Sequence, residues 1–81
     1  SMVRNEDIRR EFNMFSDILR VYKTLLPVGT ADDEKYWDAV MNAVSEIMKM
    51  YPGKFAEDLL LVLVSDLERR CAENEDQDSG R

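Results

Sequence analysis

The sequence predicts an all-α fold, a three-helix bundle in up-down-up order, and three observations carry that expectation. Two breaks that pair a proline with a nearby glycine, Pro27-Val28-Gly29-Thr30 and Tyr51-Pro52-Gly53-Lys54, leave three segments of helical length. Each segment places its apolar residues at spacings of three and four, the signature of one helix face. Three glycines and two prolines in 81 residues supply too few turns for an all-β domain. Both connections are short, so consecutive helices run antiparallel.

The first helix is expected over residues 5–26. Asn5 suits an N-cap, and Glu6 and Asp7 fall in the first turn, where acids complement the helix dipole. Ile8, Phe12, Phe15, Leu19, Tyr22 and Leu26 alternate spacings of four and three. That heptad seam is the strongest helix signal in the chain. Met14, Ile18, Val21 and Leu25 widen it on one side, with Met14 and Val21 at the edge of the arc.

The second helix is expected over residues 31–50. Thr30, with Asp33 three residues on, resembles a capping box with aspartate in place of glutamate. Trp37, Val40, Val44, Ile47 and Tyr51 form the apolar seam, flanked by Met41 and Met48 on one side and by Tyr36, Ala43 and Met50 on the other. Lys35, Asp38, Asn42, Ser45, Glu46 and Lys49 take the opposite face, as an amphipathic helix requires.

The third helix is expected over residues 55–71. The apolar run 59–64 would suit a buried strand by itself, and its flanks decide otherwise. Phe55, Leu59, Leu63 and Leu67 step by four, as do Ala56, Leu60 and Val64. Glu57 and Asp58 near the start and Arg69 and Arg70 near the end follow the macrodipole. Residues 4–71 form the single domain. Ser1, ahead of Met2, reads as a remnant of tag removal within residues 1–3. Residues 72–81 have no large apolar side chain and four acids, which predicts an acidic flexible tail.

The composition excludes much chemistry. With no histidine, the usual general base and the commonest metal ligand are missing. The one cysteine forms no intrachain disulfide, which fits a reducing cytoplasm. No signal peptide is visible, and no apolar run is long enough for a bilayer. Cys71 has Arg69 and Arg70 beside it, cations that would lower its pKa, but no partner base, so a bystander thiol is the simpler reading. Asp32, Asp33, Glu34 and Asp38 form the densest acidic patch of the folded part. They match no metal-binding loop, and first-turn acids are explained by the helix dipole. The expectation is a non-enzymatic protein with no cofactor and no metal.

The apolar arcs are wide, about 180° on the first two helices and about 200° on the third, against the ~100° stripe of an ordinary surface helix. Closing a bundle uses most of this. Leu61 is left among Glu57, Ser65 and Glu68, on what should be the wet side of the third helix, with Val64 alongside. A lone exposed leucine is ordinary. A self-association surface centred on Leu61 is the functional alternative, and a chain this small gains stability from a second copy. A homodimer through the third helix is therefore expected, acting on a further protein not identified by sequence.

The formal charge is −6. Residues 1–26 carry +1, residues 27–53 carry −3, residues 54–71 carry −1 and residues 72–81 carry −3. No basic stripe exists to meet phosphates, so direct nucleic-acid binding is not expected. An acidic protein can instead occupy the nucleic-acid-binding surface of another protein. That second reading would use Asp32, Asp33, Glu34, Asp38 and the tail.

Tyr36-Trp37, then Tyr51 and Phe55, then Leu59-Leu60-Leu61 and Leu67-Glu68-Arg69-Arg70, resemble small helical proteins of unknown function from phages and mobile elements of Gram-positive bacteria. The resemblance spans residues 36–70 and is largely core pattern. It implies an accessory or regulatory role and no catalytic residue.

Overall fold

The structure, a computed structural model, describes residues 2–79, with side chains described as far as Gln77. A 3-10 turn (Asn5–Ile8) leads into α1 (Arg9–Thr24), α2 (Glu34–Met50) and α3 (Lys54–Ser79). Each helix touches the other two, and the described residues contain no strand. The fold is the all-α three-helix bundle that the sequence predicts.

The helix ends depart from expectation where local hydrogen bonding offers a better solution. At the N-terminus the Asp7 amide donates to the Arg4 carbonyl at 3.0 Å and the Arg4 amide to the Asp7 carboxylate at 3.1 Å. Residues 5–8 therefore wind as a tight turn, and Asn5 is not the cap. At the other end, α1 stops at Thr24. The Leu25 carbonyl accepts from the Tyr36 hydroxyl at 2.8 Å, and Pro27 then has no amide with which to continue. The second helix starts three residues later than expected. Asp33, not Thr30, is its N-cap and accepts from the Tyr36 amide at 3.0 Å. Thr30 instead donates its hydroxyl to Asp32 at 2.8 Å. The loop is held from above by Trp37, whose indole N–H reaches the Thr30 carbonyl at 2.9 Å. Gly29 lies so close that a Cβ there would stand 2.7 Å from Tyr36 Cγ. Between α2 and α3 the chain turns on Gly53, at φ 135°.

The core has two layers. Met14, Ile47, Tyr51, Ala56 and Leu60 form one, and Leu25, Val40, Leu63 and Leu67 the other. The expected seams of α2 and α3 supply most of these residues. For α1 the expectation is corrected. Met14 is fully buried, with Ile18 and Val21 packed beside it, whereas Phe12 and Leu19 are each 67% exposed. Both stripes have helical spacing, so periodicity alone does not choose between them. The bond that reaches Asp17 does. Tyr22 donates to Asp66 of α3 at 2.6 Å, and Tyr51, after α2, donates to Asp17 of α1 at 2.5 Å. On a 100° wheel Asp17 stands roughly opposite the heptad seam. Turning the seam inward would carry Asp17 away from Tyr51, so the aliphatic stripe faces the core.

α3 also differs from expectation by running past Cys71 to Ser79. No glycine or proline interrupts it from Lys54 to Ser79, and extending a formed helix needs no new nucleus. Cys71 is the last buried side chain among its described residues. One turn on, the Glu75 carboxylate accepts from the Ala31 amide at 3.0 Å and ties the extension to the α1–α2 loop. Residue 1 and residues 80–81, which belong to the expected tag remnant and tail, lie outside the described residues.

Candidate functional site

Because α1 faces the core with Met14, Ile18, Val21 and Leu25, its heptad seam is turned to the surface beside α3. Phe12 and Leu19 of α1 and Val62 of α3 are each about two-thirds exposed. Phe15 and Phe55 bridge the two helices edge to face, with ring centroids 5.7 Å apart. An open groove of about 700 Å³ runs between the helices, lined by Phe15, Leu19, Tyr22, Leu59, Leu61 and Val62. Large apolar groups line its walls, while Ile18 and Leu63 reach its floor from the core.

A polar cluster closes one end. The Asp66 carboxylate accepts from the Tyr22 hydroxyl at 2.6 Å, from Arg69 at 2.5 Å and from Arg70 at 2.9 Å. The Arg70 guanidinium lies over the Tyr22 ring, 5.8 Å from its centroid. The hydrogen bond from Tyr22, reinforced by Arg70, holds the Asp66 carboxyl below the usual range. The same bond pushes the Tyr22 phenol up. A similar cluster ties α1 to the end of α2, where Arg20 reaches Asp17 at 2.9 Å and Arg10 lies over the Tyr51 ring. These contacts fix the rotation of α1 and so decide which stripe reaches the surface.

The residues expected around Leu61 are surface residues in the main. Leu61 is 59% exposed, Glu57, Ser65 and Glu68 are exposed, and Val64 is half-buried. Leu61 forms a ridge between the α1–α3 groove and a smaller depression of about 160 Å³ toward α2, lined by Met41, Val44, Met48 and Val64. The larger apolar surface lies on the α1 side, among residues that the spacing had marked only as a helix seam. A signal for it was present, since an arc of about 180° exceeds what one bundle contact covers. Nothing in the sequence told which part of the arc would stay outside.

The acidic patch is partly engaged in local structure. Asp33 caps α2 and Asp32 holds Thr30, while Glu34 and Asp38 are exposed at the start of the helix. Cys71 is buried, and burial, with the nearby Glu75 carboxylate adding to it, pushes the thiol up. Arg69 and Arg70 do not act on it, because both are directed at Asp66. Among the described residues no group of three or more acidic or cysteine side chains is placed to hold a metal ion, and no helix is long and apolar enough to cross a membrane. No family model, no curated protein and no solved structure matches the chain.

Proposed function

We propose that this chain is a non-enzymatic protein-interaction module whose working surface is the apolar face shared by α1 and α3. The observation that carries the reading is the exposure of most of the heptad seam, Phe12 and Leu19 above all, beside Val62 and Phe55, with Tyr22 alone of the seam half-buried against α3. Contiguous exposed apolar surface of this kind marks interaction sites, and aromatic side chains are favoured in the buried centres of interfaces. The resemblance to small helical phage and mobile-element proteins adds an accessory or regulatory role. A cytoplasmic location suits a chain with one unpaired, buried thiol. The competing reading, an acidic inhibitor of a nucleic-acid-binding protein, loses support because Asp33 is committed to capping α2.

The test is affinity capture from a bacterial lysate in low and high salt, comparing the wild-type chain with Leu19→Glu and Phe12→Glu. The reading expects salt-resistant retention, of a partner protein or of the chain's own copies, that both variants lose. Retention unaffected by either variant contradicts it. Retention only at low salt points to the acidic surface instead, since such contacts are screened over a Debye length of about 8 Å at physiological ionic strength.

A further inference from the structure

We infer that the occupant of this face is a second copy of the chain, related by a two-fold axis parallel to the helices, so that α1 of each copy packs on α3 of the other. The inference rests on the proposed reading of the face and adds its partner and geometry. The apolar centre is suited to self-association, since Leu19 lies across the groove from Leu61 and Val62. The axis places Leu19 of one copy over Leu61 and Val62 of its partner. The face is two helices wide and about one α1 length long, roughly 25 Å by 20 Å or about 500 Å² in projection, a size at which exposed patches are often functional. It is smaller than the roughly 800 Å² per partner of a standard interface, so micromolar association is expected.

The rims choose the orientation. Beyond its apolar seam, α1 carries Arg9, Arg20 and Lys23 with no acid among them, and all three are exposed. Asp17 lies further round toward α2, and Arg20 reaches back to it. The outer flank of α3 carries Glu57, Asp58 and Glu68, with Lys54 shared between Asp58 at 2.9 Å and Glu57 at 3.9 Å and Arg69 committed to Asp66. A two-fold axis parallel to the helices sets the basic flank of α1 against the acidic flank of the partner's α3, whereas an axis across them stacks α1 on α1 and opposes like charges. Charge complementarity of this sort fixes register and rejects wrong arrangements. Lys23, one turn beyond Leu19, is then level with Ser65 and Glu68 of the other copy.

The experiment is sedimentation velocity of the full chain from about 1 to 300 µM, with Lys23→Glu, Glu68→Lys and the double variant. Circular dichroism checks that each is folded, as all sites are exposed. The inference expects a shift from the 9.5 kDa chain toward twice that mass as concentration rises. Each single reversal should weaken association by about three- to tenfold, and the double should return it to within about twofold of wild type. A chain monomeric throughout overturns the inference, and lysate capture with Leu19→Glu then judges the face by itself. Dimerisation that is indifferent to both reversals, or that the double variant does not recover, overturns the geometry.

Discussion

Phe15 of α1 and Phe55 of α3 meet edge to face with ring planes at 76°, yet each leaves about half of its surface in water. A phenylalanine pair that joins two helices of a small bundle would ordinarily be sealed inside it. Here the pair sits at the mouth of a groove, with Leu19 and Val62 beyond it. It contributes to the bundle as a clasp between α1 and α3, and its outer edges remain available to another surface.

The orientation of α1 makes a prediction opposite to one drawn from its heptad seam. Met14→Ala, at a fully buried site, should cost about 2–5 kcal/mol in urea unfolding. Leu19→Ala, measured at low micromolar concentration, should change stability by less than about 0.5 kcal/mol. The reverse order would place the seam, not the aliphatic stripe, in the core.

The start of α2 offers a local test. Asp33→Ala removes the acceptor of the Tyr36 amide and should cost about 1 kcal/mol. Thr30→Val removes only a surface hydroxyl contact with Asp32 and should cost less. Equal losses would return the cap to Thr30.

The Tyr22–Asp66 bond gives a pH window with a defined sign. Asp66 is held below its usual pKa in the folded chain, so its contribution is present above about pH 4 and is lost as pH falls through the lowered value. Tyr22 is raised, so its contribution is present below about pH 10 and is lost as pH rises through the raised value. Thermal melts of wild type and Tyr22→Phe should therefore differ most between about pH 5 and 9, with wild type the more stable, and converge at both extremes. A difference independent of pH would mean that the hydroxyl does not stabilise the carboxylate.

Cys71 should behave as a buried thiol. At pH 8 its reaction with a disulfide reagent should be slower than that of a free cysteine by at least about tenfold, and denaturant should restore the ordinary rate. Rapid reaction in the folded state would show an accessible, activated thiolate.

The bundle was legible because the same helical spacing recurs in all three segments between the breaks, whereas the dipole argument misplaced the end of α3, whose Arg69 and Arg70 lie mid-helix and whose last turn carries no base. On α2 and α3 the expected apolar positions Val40, Ile47, Leu60 and Leu67 are buried. The choice between Phe12 and Met14 on α1 was not legible, because both lie on stripes of the same period. It depends on Asp17, on the far side of α1 from the seam, finding Tyr51, a partner 34 residues away. Spacing along one helix carries no record of such pairs. The exposure of Leu61 was legible for the opposite reason, since Glu57, Ser65 and Glu68 beside it mark a wet face directly. The extension of α3 to Ser79 was missed because composition measures burial, while helix continuation needs only the absence of a breaker.

The most direct test of the central claim is the alkylation rate of Leu19→Cys as a function of protein concentration, with peptide mapping to separate it from Cys71. An exposed seam that a second copy covers predicts a rate close to that of a free thiol at nanomolar concentration and marked protection at several hundred micromolar. Slow alkylation at every concentration would place the seam inside the bundle, and fast alkylation at every concentration would leave the face without the partner assigned to it.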